Sequence, residues 1–212
     1  FSKNLWESSE GKSIGLSYYK ERGFEEKTIH FFGLGYSLKK YDNLYNESLA
    51  TGHNEKYLLE TGLIIKNDKG YIDRFRGRII FPIKSMAGRI LGFGGRTLIS
   101  DTKVAKYINS PESDAYSKGE VLYGLHEAKK AIAREDSCYL VEGYTDVIQM
   151  YQKGIENVVS SSGTSLTLVQ IRLIRRLTSN IIILFDGDLA GQRAALRGID
   201  LVLQEGMNVR VC

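Results

Sequence analysis

From Val121 to Cys212 the chain alternates two kinds of hydrophobic pattern. Short apolar runs stand at Tyr139-Leu140-Val141 and Ile181-Ile182-Ile183-Leu184-Phe185, a short strand is expected at Val158–Ser160, and another opens at Val209. Runs of this length, bounded by turn residues, predict strands buried on both faces of a parallel sheet. Between them the apolar residues recur every three or four positions, as on one face of a helix. Leu125, Ala128 and Ile132 mark the first helix, and Val147 and Met150 a second that stops at Gly154. Val169, Leu173 and Leu177 mark a third, and Ala195, Ile199 and Val202 a fourth that stops at Gly206. Strict alternation of strand and helix predicts right-handed βαβ units.

The first half of the chain is patterned differently. Short helices are expected around Ser13–Arg22, closed by Gly23, around Glu25–Phe31, and through Tyr57-Leu58-Leu59-Glu60 up to Thr61-Gly62. Over residues 64–99, apolar runs such as Ile79-Ile80-Phe81 and Ile90-Leu91-Gly92-Phe93 are separated by turn signals at Asn67-Asp68-Lys69-Gly70 and Ala87-Gly88, which predicts an antiparallel meander. Residues 100–119 are polar and read as an irregular linker. The fold class expected is therefore α/β: an α+β N-terminal subdomain over 1–118, then a parallel βαβ sheet over 119–212.

Composition narrows the setting. With 42% hydrophobic and 25% charged residues the chain is ordinary for a globular protein, and its apolar runs are too short for a membrane helix. Cys138 and Cys212 are too few and too distant for a zinc site or a disulfide framework, which fits a reducing, cytoplasmic setting. Phe1 opens the chain without methionine or a signal-like apolar core, so a fragment of something longer is expected. Charge is uneven: residues 1–70 hold ten basic and ten acidic side chains, 71–134 twelve and six, 135–212 seven and nine. A block of +6 directly before an acidic block suits a polyanionic substrate, although a solvated charged face would look the same.

The acids carry the sharpest chemical signal. Glu142 closes the run at 139–141, and Asp186 and Asp188 follow the run at 181–185. Ligands of open α/β sheets sit outside the carboxyl ends of such strands. Three carboxylates gathered there repel one another unless a cation lies between them, and oxygen-only ligation points to Mg²⁺ or Mn²⁺. Gly187 lets the chain turn, and the segment from Leu189 opens a helix whose amino end favours anions. A bare Asp-x-Asp also serves as a helix N-cap, and Asp146, in the first turn after Glu142-Gly143-Tyr144-Thr145, also serves as a helix-start charge. Ser161-Ser162-Gly163-Thr164-Ser165 is a loop of small residues that either approaches a ligand or forms only a turn and a cap.

Glu142-Gly143 on one strand, a Gly-Thr-Ser turn on the next and Asp186-x-Asp188 on a third resemble the TOPRIM domain shared by primases, topoisomerases and some nucleases. The segment from Arg74-Phe75-Arg76-Gly77-Arg78 to Ile83 resembles the basic motif of bacterial DnaG-type primases. So do Gly92-Phe93-Gly94-Gly95-Arg96, the stretch Lys106-Tyr107-Ile108-Asn109-Ser110-Pro111-Glu112, Lys118–Gly124 and Glu142–Asp146. The resemblance runs over nearly the whole chain, in order. It implies the RNA polymerase core of a DNA primase, which makes short RNA primers on single-stranded DNA from ribonucleoside triphosphates by Mg²⁺-dependent nucleotidyl transfer. On that resemblance Glu142, Asp186 and Asp188 are the catalytic metal ligands, and Asp146 supports a metal through water. Arg74, Arg76, Arg96, Lys106 and Lys118 are similar to positions used on nucleotide or template phosphates, and Asn109 to a template-contacting asparagine. Tyr107 is a candidate for base stacking or for packing. The family's zinc-binding domain, a further acidic motif after residue 212 and the domain that meets the replicative helicase are not in this chain. The chain is expected to act as a monomer without a membrane, and to polymerise weakly or not at all by itself.

Three other readings compete. A TOPRIM nuclease or topoisomerase would use the same acids to cleave, a topoisomerase also needing a tyrosine nucleophile that no context here betrays. A silent nucleic-acid-binding module would keep the fold alone. A dehalogenase-type Asp-x-Asp phosphatase would carry its acids on the first strand of the domain, not the third.

Overall fold

The computed structural model describes residues 1–68, 70–99, 103–163 and 165–212. The chain divides into two compact units, Phe1–Pro82 with Leu91–Ser117, and Ile83–Ile90 with Lys118–Cys212. The fold class is α/β.

The first unit begins with α1 (Ser2–Glu7), a π-helical turn (Gly11–Leu16), α2 (Ser17–Glu21) and α3 (Glu26–Phe32), followed by the two-residue strand β1 (Gly35–Tyr36). Then come α4 (Asn43–Ala50), α5 (Glu55–Glu60), β2 (Ile64–Asn67) and β3 (Gly70–Asp73). Strands β4 (Arg78–Lys84), β5 (Ile90–Thr97) and β6 (Tyr107–Asn109) complete it, β4 and β5 running on into residues 83–90. Gly23 takes φ 75°, so the helix end expected there is present. The core forms where the short helices lay Leu5, Tyr19, Ile29 and Phe32 against β4, six of whose seven residues are buried. Tyr19 is fully buried yet satisfied: its hydroxyl lies 3.1 Å from the carbonyl oxygens of both Gly35 and Ile80.

The meander expected over 64–99 is divided between two sheets. Strands β2 and β3 form a separate antiparallel hairpin. The chain then turns away because Asp73 and Phe75 are both buried, 2% and 1% exposed. The larger sheet has the order β1-β4-β5-β6. Its edges were not visible in the pattern. β1 is too short to show alternation, and β6 lies inside the stretch expected to be irregular, pairing Asn109 with Gly94 and Tyr107 with Arg96.

The second unit contains a 3₁₀ turn (Lys118–Glu120), α6 (Leu125–Glu135), β7 (Cys138–Val141), α7 (Tyr144–Gln152) and β8 (Val158–Ser160). α8 (Leu168–Arg175), β9 (Asn180–Ile183), α9 (Leu189–Gln204) and β10 (Asn208–Val211) follow. Its four strands pair in parallel, in the order β10-β9-β7-β8, and Tyr123 adds an isolated antiparallel bridge to Ser160. Its core gathers Leu125, Ala128, Ile132, Leu140, Val159, Ile171, Ile174, Ile183 and Val202. Two local expectations fail here. The run at 181–185 gives a strand only as far as Ile183, and Leu184 is 39% exposed because the chain leaves the sheet there. Helix α8 buries Gln170, Ile171 and Ile174, while Val169 is exposed. Its N-cap Thr167 accepts the N–H of Gln170, whose side chain turns inward to the carbonyls of Lys118 and Val121, in the segment before α6. Among the described residues no helix is long and apolar enough to cross a membrane.

Candidate metal and nucleic-acid sites

Strand order explains why the acids gather. From β7 the chain steps to β8 on one side, then crosses back to β9 on the other, so the direction of winding reverses at β7. At such a switch point the crevice between neighbouring carboxyl ends is left open. β7 and β9 are paired with Leu140 opposite Ile183, and the Leu184 N–H donates to Leu140 O at 2.9 Å. Glu142 and Asp186 leave the two strands at this level.

Each acid is tied to a backbone amide, with one exception. Glu142 Oε1 accepts the N–H of Asp186 at 2.8 Å. Asp188 is the N-cap of α9, its Oδ1 accepting the N–H of Gly191 at 2.8 Å. Asp146 Oδ2 accepts the N–H of Gly143 at 2.9 Å, closing the start of α7. Asp186 is exposed, and among the described residues its carboxylate accepts no hydrogen bond. Gly191 packs against the Asp186 backbone and the Glu142 carboxylate. A Cβ there would lie 2.1 Å from Asp186 O and 2.8 Å from Glu142 Oε1, so only glycine allows the helix to start against them.

Glu142 and Asp188 line a cleft of ≈ 360 Å³ together with Ser161, Ser165 and Arg197. Neither Asp186 nor Asp146 lines it, and Thr164 lies outside the described residues. Among the described residues no three His, Cys, Asp or Glu side chains converge closely enough to hold a metal ion. The acids therefore share a rim rather than a finished coordination sphere, because backbone amides occupy one oxygen of Glu142 and one of Asp188. The donor set still fits a hard divalent cation. It is all oxygen, and Glu142 Oε2, Asp188 Oδ2 and both Asp186 oxygens accept nothing else among the described residues. Two contributors escaped the sequence reading. Arg197 lies two helical turns into α9, and Gly191 looked like a neutral helical residue.

The first unit holds a cationic cavity of ≈ 330 Å³ lined by Lys39, Arg74, Arg76 and Arg78. Arg78 is 9% exposed, and burial lowers its pKa. Its Nη1 donates towards Gly95 O at 3.2 Å and Ala105 O at 3.1 Å, pinning the segment before β6 to the sheet. Arg74 Nε is buried without a hydrogen-bond partner. The guanidinium carbon of Arg76 lies 4.2 Å from the ring centroid of Tyr41. Arg96 sits between two tyrosines, 4.7 Å from the Tyr18 ring and 5.8 Å from the Tyr107 ring, and donates to the Tyr18 hydroxyl. Lys106, next to Tyr107 in sequence, is exposed, and Asn109 stands opposite Gly94 in the β5–β6 pair. Arg74 and Arg76 thus share one cavity, whereas Arg96 and Tyr107 form another cluster. Lys118 belongs to the second unit, where its carbonyl accepts from Gln170 Nε2 at 3.0 Å. Lys39, Tyr41 and Arg78 were missed, although basic residues beside an aromatic at Lys39-Lys40-Tyr41 are a recognisable signal.

A family model described as the DNA primase catalytic core, N-terminal domain, matches residues 1–129, and a Toprim domain model matches residues 136–212. The DNA primase of Clostridium acetobutylicum is 42% identical over 211 residues, covering 100% of this chain and 34% of the relative. That of Escherichia coli K12 is 42% identical over 187 residues, covering 88% and 32%. The chain thus spans about a third of the length of these curated relatives. Among solved structures, the RNA polymerase domain of Mycobacterium tuberculosis primase DnaG superposes with a TM-score of 0.90 at 34% identity, covering 100% of this chain and 71% of that one. The zinc-binding and RNA polymerase domains of Aquifex aeolicus primase give 0.89 at 39%, covering 98% and 50%. A DnaG primase catalytic domain bound to ssDNA gives 0.88 at 37%, covering 100% and 67%.

Proposed function

The chain belongs to the family of DNA primase catalytic cores, and from that premise we propose that it forms part of an enzyme that synthesises short RNA primers on single-stranded DNA during replication. The observation that carries the reading is the acid rim: Glu142 and Asp186 leave adjacent parallel strands at the switch point, and Asp188 lines a cleft with Glu142. Glu142, Asp186 and Asp188 would hold Mg²⁺ or Mn²⁺, with Asp146 behind them. When bound, the metal lowers the pKa of the attacking hydroxyl and neutralises charge on the pyrophosphate that leaves. Glu142 also fixes the backbone of Asp186, so the two acids keep their spacing before a ligand arrives. The α9 amino end directs N–H groups towards the cleft, where they favour phosphate oxygens.

Arg74, Arg76, Arg96, Lys106 and Lys118 take phosphates of template or triphosphate, and Asn109 contacts the template. Such contacts position a strand without reading its sequence. The partners proposed are single-stranded DNA and ribonucleoside triphosphates. Zinc is assigned to another part of the protein, since Cys138 here is buried and its thiol is pushed well up by burial, and the replicative helicase is a partner proposed on the family resemblance alone. A reducing, cytoplasmic setting and a monomeric state complete the reading.

Primer synthesis from labelled ribonucleotides on a single-stranded template tests it in the full-length protein. Removal of an outer partner of a metal site typically costs 10- to 100-fold, so Glu142→Gln is expected to lower synthesis by at least about 100-fold with the fold intact. Undiminished synthesis would remove Glu142 from the metal site, and cleaved template without primer would move the protein among the nucleases.

A further inference from the structure

Arg76 is exposed, and a free arginine side chain samples many rotamers and loses entropy when it is fixed. Here it lies over Tyr41, at 4.2 Å from the ring centroid. Tyr41 is itself 56% exposed, so burial does not explain its place. What holds it is the neighbouring backbone. The N–H of Asp73 donates to Tyr41 O at 2.7 Å. The carboxylate of Asp73, 2% exposed, accepts the N–H groups of Leu44 at 2.7 Å and Tyr45 at 3.1 Å. These amides belong to the first turn of α4, whose own N-cap, Asp42, makes no side-chain capping bond. One buried acid therefore locks residues 41–45 to a point three residues before Arg76.

The held guanidinium stands at a cavity shared with Lys39, Arg74 and Arg78. Among the described residues no carboxylate forms an ion pair with Arg74, Arg76 or Arg78, and Arg74 Nε is buried without a partner. A preorganised group of cations with no anion paired to it among the described residues calls for an external one. Building on the nucleic-acid reading above, we propose that Tyr41 is a positioning residue that holds Arg76 in place for a phosphate of single-stranded DNA. It acts through the arginine and makes no contact with a base.

The test is oligothymidine binding, followed by fluorescence anisotropy on the 212-residue chain, with Tyr41→Ala, Tyr41→Phe, Tyr41→Leu, Arg76→Ala and the Tyr41→Ala/Arg76→Ala pair. An exposed cation–π contact corresponds to roughly a two- to fivefold change in Kd, which is the weakening expected for Tyr41→Ala. Tyr41→Leu should match Tyr41→Ala, since it fills space without an aromatic face, while Tyr41→Phe restores wild-type binding. Arg76→Ala should also flatten the salt dependence by about 0.7 in slope. In that background Tyr41→Ala should change nothing further. Wild-type affinity in Tyr41→Ala or Tyr41→Leu overturns the proposal. So does an undiminished effect of Tyr41→Ala without Arg76, which would mean that the ring itself meets the strand. A wild-type chain that binds no oligothymidine at low salt removes the nucleic-acid reading and this proposal together. Unchanged circular dichroism in each variant keeps loss of folding out of the comparison.

Discussion

Asp186 and Asp188 are two residues apart and do different work. Asp188 caps α9, and loss of such a cap costs about 1 kcal/mol, whereas the Asp186 carboxylate supports nothing in the described fold. Asp188→Ala is therefore expected to lower unfolding free energy by about 1 kcal/mol in urea titration, and Asp186→Ala to leave it unchanged. Equal losses would contradict the division. Of the two readings that the sequence left open for Asp-x-Asp, the helix cap is present at Asp188, which also lines the cleft, and the metal reading belongs to the function proposed above. That the acids would stand at strand ends was legible, because apolar runs ending in an acid are rare in buried sheets. That Glu142 would be bonded to the Asp186 amide was not, since the bond spans 44 positions and depends on strand order.

Elements of the second unit were largely readable because each is amphipathic or wholly apolar over its full length. The exceptions are instructive. α8 carries apolar residues at 168, 169, 171, 173 and 174, so two faces compete, and the tertiary bonds of Gln170 decide between them. The short elements of the first unit, β1 and β6, are defined by their partners and leave no period of their own. Between elements, Glu205 ties the end of α9 to α8. Arg172 Nη2 lies 2.8 Å and Arg175 Nη1 3.4 Å from its carboxylate, and the hydrogen bond from Arg172 above all holds its pKa below the ordinary 4.5. A lowered carboxylate stabilises above its unfolded value, and the benefit is lost as pH falls through the folded one. The Tm of the wild type should thus drop from about pH 5 to pH 3, and Glu205→Gln should drop less over that window. Parallel Tm curves would show the ties to be inert.

At the scale of the molecule, the chain has two compact units, and the seam between their larger parts falls at Ser117 and Lys118. Composition hinted at a change of character in this region, but the return of residues 83–90 to the second unit could not be seen in any local pattern. The turn there is held by α6: Lys84 pairs with Glu127 at 2.7 Å, and Lys129 donates to Met86 O at 2.8 Å. These contacts join residues some 43 positions apart, which no periodicity reports.

The fully buried Gln170 has a consequence of another kind. Its amide donates to the carbonyls of Lys118 and Val121, at 3.0 and 2.7 Å, while the Thr167 hydroxyl donates to Gly119 O at 2.6 Å. The peptide bond after Lys118 is a trypsin site in sequence, next to the chain boundary between the two units, where nicking would be expected first. Stapled by α8, it is closed to a protease that must straighten several residues to cut. Orphaning these carbonyls typically costs about 1–3 kcal/mol, so Gln170→Leu should speed cleavage after Lys118 by roughly tenfold in a native digest read by mass spectrometry. An unchanged cleavage rate would mean that something other than Gln170 guards the seam. The residue that chose the face of α8 thus also decides whether the chain can be cut in two.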